Sequence, residues 1–194
     1  MDADIMNEEI IKRKKRLSSF QIIILGFAGV ILLGALLLML PIATKERVVT
    51  PFHETLFTAT SATCVTGLVV QDTGSYWSVF GQAILLFLIQ IGGLGVVTVA
   101  AAFTMLSGKK ISLMQRSTMQ EAISAPQVGG IVRLTGFILK GTFLIELVGA
   151  LCLMPLFVKD FGVKGIWYAF FHSVSAFCNG GFDCVWLVIR LQFS

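Results

Sequence analysis

The chain has 194 residues, of which 56% are hydrophobic and 13% charged, and its mean hydropathy is +0.86. Soluble domains carry about 25% charged residues, so this composition excludes an ordinary water-soluble globule and places the chain in a bilayer. The net charge of +4 is densest in KRKKR at 12–16, directly before the first apolar run. A basic run in that position fixes membrane orientation and meets anionic lipid, rather than binding nucleic acid.

Residues 20–40 (FQIIILGFAGVILLGALLLML) carry no charge and are predicted to cross the bilayer as a helix that stops at Pro41. A signal peptide would have a shorter apolar core and a small-x-small cleavage site after it; neither fits. Residues 79–106 form a second uncharged run, longer than a minimal span and so predicted to tilt or to extend beyond the membrane. It contains IGGLG at 91–95, where missing side chains let a neighbouring backbone come close. That glycine pattern lacks the spacing and the preceding strand of a dinucleotide fingerprint.

Residues 107–133 are polar and basic, with Lys109, Lys110, Arg116 and Arg133 against Glu121. Residues 134–158 make a third span, interrupted by Lys140 and Glu146. The segment 166–177 is too short to cross. The positive-inside rule then puts the N-terminus and 107–133 in the cytoplasm, with 44–76 and the chain from 159 onward outside.

Two outer segments resemble each other. FTATSATCVTGL at 57–68 aligns with FHSVSAFCNGGF at 171–182 at a constant offset of 114, with identities at Phe57/Phe171, Ser61/Ser175, Ala62/Ala176, Cys64/Cys178 and Gly67/Gly181. Each follows a span and about a dozen helix-compatible residues. Internal repeats in membrane proteins usually mark pseudo-symmetry around a substrate path. Irregular backbone at membrane depth is tolerated only where it is buried in protein or lines a water-filled cavity. A half-helix that dips in and a turn that returns can point carbonyl oxygens at an ion in place of its water. Glycine permits the required positive φ, and the negative end of the half-helix suits a cation.

SATCVTGL at 61–68, QIGGLG at 90–95 and SAFCNGGF at 175–182 together resemble the Ktr/Trk/HKT superfamily of potassium transporters, in its Ktr membrane-subunit (KtrB-type) branch. The resemblance implies an all-α integral membrane protein of repeated helix–pore loop–helix units, like a potassium channel, each loop giving one glycine to a filter. Carried over by motif, the first filter segment is Thr63, Cys64, Val65, Thr66, Gly67 and Leu68. The second is Phe177, Cys178, Asn179, Gly180, Gly181 and Phe182. Gly180 stands where many relatives have alanine. The family has four units around one pore, and residues after Asp183 do not look family-like, so the chain reads as truncated. The implied organisation is a cytoplasmic basic N-terminus at 1–19, a first unit at 20–106, a cytoplasmic linker at 107–133, and a second unit at 134–194 without its closing helix.

The resemblance also implies potassium uptake across the cell membrane, helped by sodium, with no further cofactor. Implied partners are a cytoplasmic nucleotide-binding regulatory ring (KtrA/KtrC-type), a second copy of the chain, and the lipid bilayer. The alternative is a non-conducting truncated fragment that at most associates with membrane partners.

The remaining polar residues leave choices open. Asp72 and Asp183 either concentrate cations at an outer mouth or are ordinary loop carboxylates. Lys140 and Glu146, six residues apart, are functional candidates by their depth, or else a snorkelling or structural pair. His53 and His172 lack second ligands at helical spacing and read as pore-helix surface or interface residues. Tyr76, Trp77, Trp167 and Tyr168 fall where an interfacial belt is expected. Cys64, Cys152, Cys178 and Cys184 show no paired CxxC spacing and read as reduced thiols. No nucleophile–base pair or metal cluster suggests an enzyme.

Overall fold

A computed structural model describes residues 19–96, 98–100, 116, 118–120 and 131–185. The basic run at 12–16, most of the linker at 107–133 and the segment 186–194 lie outside the described residues. The described residues include, in chain order, the helices α1 (Ser19–Leu38), α2 (Phe52–Thr63), α3 (Val79–Leu94), α4 (Ile131–Phe161) and α5 (Lys164–Phe177). Among the described residues there is no strand, only an isolated antiparallel bridge between Thr44 and Trp77.

Length separates these helices into two kinds. At 1.5 Å per residue, α1 spans about 30 Å and α4 about 46 Å, enough to cross hydrocarbon. Both are apolar enough to do so by composition. They turn Leu33, Phe137 and Leu144 outward, each at least 60% exposed, as helices do when lipid is their solvent. By contrast α2, with 12 residues, and α5, with 14, reach only about 18–21 Å and cannot cross. The protein is therefore an all-helical membrane protein with long helices and half-length ones.

The second apolar run, expected to tilt or to extend beyond the membrane, is interrupted as a helix at Gly95 among its described residues. α3 ends at Leu94 because Gly95 takes φ +81, and helical backbone resumes at Val96. A left-handed residue cannot continue a right-handed helix, and only glycine adopts it without cost.

Packing repeats in space as it does in sequence. α2 lies against α1, α5 lies against α4, and α3 touches both half-helices. The core gathers at that junction, where Leu85 and Ile89 of α3 meet Ala59 and Ala62 of α2 and Phe171 and Val174 of α5. The chain leaving α1 is clipped to the start of α3. The Ser78 backbone amide and hydroxyl donate to Ala43 O (2.9 Å) and Ile42 O (2.7 Å), and Lys45 N donates to Tyr76 O (3.0 Å).

Trp77 is not an interfacial anchor: it is fully buried, edge-on to Tyr76 at 5.0 Å. Trp167 is also tied inward, its indole N–H donating to Gln82 Oε1 at 2.8 Å. Gln82 in turn donates to Thr73 O and Trp77 O. The half-buried Trp167 indole thus gains an acceptor from a glutamine inside an apolar run, whereas the buried Trp77 N–H has no hydrogen-bond partner among the described residues.

Candidate filter loops

Each half-helix runs directly into a loop, and the two loops share one backbone path. Thr63 closes α2 and Phe177 closes α5, so both proposed segments begin on the last residue of a helix. Cys64 N donates to Thr60 O (2.8 Å), and Cys178 N donates to Val174 O (2.9 Å). Thr66 N then reaches back to Ser61 O (3.0 Å), and Gly180 N to Ser175 O (2.6 Å). Every one of these pairs keeps the sequence offset of 114.

The torsions match as well. Positive φ occurs at Val65 (57°) and Gly67 (72°) in the first loop, and at Asn179 (58°) and Gly181 (69°) in the second. Left-handed residues at every second position are the torsion pattern that lets successive carbonyls share one side of a loop. Gly67 was legible in sequence as the pivot; Val65 was not. A β-branched residue at φ 57° is an outlier held in place by its surroundings.

The two glycines face each other. A Cβ on Gly67 would lie 3.1 Å from Gly181 Cα, and one on Gly181 would lie 2.9 Å from Gly67 Cα. A side chain at either position would therefore enter the other loop. Neither α2 nor α5 has a basic residue in its last turn, so the partial negative charge of both helix ends is left toward the loops.

Serines hold the curves. Ser61 Oγ pairs with Thr66 Oγ1 at 2.8 Å. Ser175 Oγ donates to Phe182 O (2.9 Å) and accepts from Phe182 N (3.2 Å). The sequence signal for these serines was their identity in the repeat, although no role had been drawn from it.

Gly92 and Gly93 of IGGLG act as the packing reading expected, while Gly95 serves by its positive φ. A Cβ on Gly92 would strike the Thr63 carbonyl, and one on Gly93 would press on the Cys178 sulfur. Thus α3 leans on both loops at once. Gln90, one turn earlier, donates to Glu146 Oε1 at 2.8 Å and accepts from the Cys178 thiol at 3.8 Å.

Asp72 and Asp183 come together, with Gly181, Val69 and Thr73, around one cavity of about 290 Å³. Asp72 Oδ2 accepts from Ser75 N (2.7 Å) and Asp183 Oδ1 from Val185 N (2.6 Å). Asp183 also pairs with His172 Nε2 at 2.9 Å, while His172 Nδ1 faces Tyr168 O at 2.7 Å. His172 is thus an interface residue of α5, and His53 lies exposed 4.0 Å from Glu54. Lys140 is exposed on α4 whereas Glu146 is buried, so they are not a pair. The described cysteines are free, and no group of three or more His, Cys, Asp or Glu side chains among the described residues could hold a metal.

Sequence comparison places this chain among known proteins. The chain is 43% identical over 171 residues to the potassium/sodium uptake protein NtpJ of Enterococcus hirae, covering 88% of this chain and 38% of that protein. It is 44% identical over 164 residues to Ktr system potassium uptake protein B of Bacillus subtilis, covering 84% and 36%. It is 39% identical over 163 residues to the protein of the same name from Vibrio alginolyticus, covering 84% and 35%. The chain therefore spans little more than a third of the length of these relatives. The family profile described as TrkH, cation transport protein, matches residues 12–185, from before the first span to beyond the second loop. The chain belongs to the TrkH family of cation transport proteins, which are membrane transporters and not enzymes.

Proposed function

We propose that this chain is a pore-forming part of a Ktr-type potassium uptake system, in which the backbone carbonyls of the two loops hold the ion. One observation carries the reading: Gly67 and Gly181, equivalent in the repeat, both take positive φ and meet face to face. Thr63, Cys64, Val65, Thr66, Gly67 and Leu68 form one side of the filter. Phe177, Cys178, Asn179, Gly180, Gly181 and Phe182 form another. Potassium is selected because carbonyl dipoles replace its hydration shell, and the half-helix ends add a favourable field. Asp72 and Asp183, which share one cavity, raise the local cation concentration.

The relatives named for potassium, or for potassium and sodium, support potassium as cargo and sodium as the helper ion. The words "Ktr system" in two of those names support an assembly of several subunits, here a cytoplasmic nucleotide-binding ring beneath a homodimer. The chain is multi-pass with a cytoplasmic N-terminus, in the units 1–19, 20–106, 107–133 and 134–194. The alternative, a non-conducting fragment with a membrane-association role, draws on the chain spanning only 35–38% of those relatives.

Growth at low external potassium separates the two. Cells without their own potassium uptake, expressing this chain, are expected to grow and to take up rubidium. Absence of both, with the chain present in the membrane, sinks the conducting reading.

A further inference from the structure

Among the described residues, Glu146 is the one acidic or basic side chain that is fully buried, at 2% exposure, and it lies in the middle of α4. A carboxyl group at that depth is costly and persists only with partners. Its side chain and its backbone hold different helices. Oε1 accepts from Gln90 of α3 at 2.8 Å, and the backbone oxygen accepts from Ser173 Oγ of α5 at 2.6 Å. Gly149, one turn on, is bare where Ser173 Oγ sits. The side-chain branch leads on to Cys178, the first residue after α5. Its thiol donates to Gln90 Oε1 at 3.8 Å, and its sulfur sits where a Cβ on Gly93 would otherwise lie.

The first unit has no counterpart. At the offset of 114, Glu146 corresponds to Leu32, which is exposed, and Ser173 to Ala59. This network therefore belongs to one loop alone.

We propose that Glu146 is a positioning residue for the second loop. Its carboxyl oxygen takes the amide NH₂ of Gln90, which turns Gln90 Oε1 toward Cys178. The amide is a fixed donor–acceptor pair, so fixing one end fixes the other. The sulfur is thereby drawn toward α3 and α4, and the backbone of residues 178–182, rather than the thiol, is presented to the ion. This rests on the filter reading above, and it makes ion discrimination depend on a side chain outside both loops.

The test uses the whole chain in membrane vesicles, with maleimide alkylation of Cys178 followed by mass spectrometry and Cys64 of the same molecule as reference. Glu146→Leu and Gln90→Leu are each expected to raise the relative Cys178 rate about tenfold, the ratio expected from one lost buried hydrogen bond. The double variant should exceed neither single, because both cut one path. Glu146→Gln, whose amide oxygen still accepts, should stay within about twofold. A merely structural role predicts no such rescue and an additive double. Unchanged labelling in Gln90→Leu, or additivity, overturns the proposal, and Gln90→Leu decides alone if Glu146→Leu does not assemble.

Uptake by the same variants separates this inference from the functional reading. Labelling that shifts as expected in a chain that takes up no potassium overturns the filter's function but not the positioning. Uptake by the unaltered chain, with neither labelling nor the potassium-to-sodium ratio altered in Gln90→Leu, overturns the positioning alone.

Discussion

The loop after α2 and the loop after α5 trace the same path with different supports. Both place left-handed residues at their second and fourth positions counted from the cysteine, and both send an amide back to a serine carbonyl. The first loop uses Val65 where the second uses Asn179. Ser61 holds a neighbouring hydroxyl, whereas Ser175 holds both backbone groups of Phe182. α3 leans on the first loop through Gly92, and on the second through Gly93 and the Gln90–Glu146 pair. The comparison teaches that the conformation is fixed by the glycine and the helix end, while the means of holding it are interchangeable.

The strongest way to break the equivalence is to load the glycines. Gly67→Ser and Gly181→Ser should act alike, because each side chain would meet the other glycine at about 3 Å. Strain in the left-handed region is worth about 1–3 kcal/mol at each position. Both should also weaken discrimination of potassium over sodium, read as relative uptake. Unchanged relative uptake in Gly67→Ser would refute the filter assignment.

A smaller effect is expected from Gly92→Ala and Gly93→Ala. The first drives a methyl into the rigid Thr63 carbonyl and the second into the Cys178 side chain, so the first should cost more. Overpacking of this kind costs about 1–3 kcal/mol, measured as the shift in thermal unfolding in detergent. Equal shifts would mean that α3 is free to move away from both loops.

The serines sharpen the contrast further. Ser175→Ala removes two backbone bonds and leaves buried partners, at about 1–3 kcal/mol; Ser61→Ala removes one hydroxyl contact, at about 0.5–1.5 kcal/mol. The smallest effect has the opposite sign. Val65→Gly should relieve left-handed strain and stabilise by about 1 kcal/mol, whereas Asn179→Gly should change little, because asparagine tolerates that region. A destabilised Val65→Gly would show that the valine side chain matters more than its torsion.

Much of this contrast was legible beforehand, because it depends on short-range chemistry. The offset of 114 exposed both loops, and Gly67 and Gly181 announced the turns. The apolar runs gave the two long helices to within a few residues. The break at Gly95 was missed because hydropathy does not register a change of φ inside an apolar run. The tryptophans were misjudged for a related reason: an aromatic near a span end has the same local signature whether it faces the interface or, like Trp77, the core.

By itself the sequence determined the bilayer as solvent, the helices long enough to cross it and the repeat, since each depends on residues within one helix or one loop. Only the tertiary structure decided which polar groups meet. Gln90 finds Glu146 across 56 positions, and Trp167 finds Gln82 across 85. Hydrocarbon leaves buried polar groups no solvent to fall back on, so partners such as these are found where the helices cross, while Thr63 Oγ1, Trp77 Nε1 and Thr135 Oγ1 stay buried without a hydrogen bond among the described residues. Those crossings are set by how small residues let the backbones approach, a property of the packed bundle and not of any single segment.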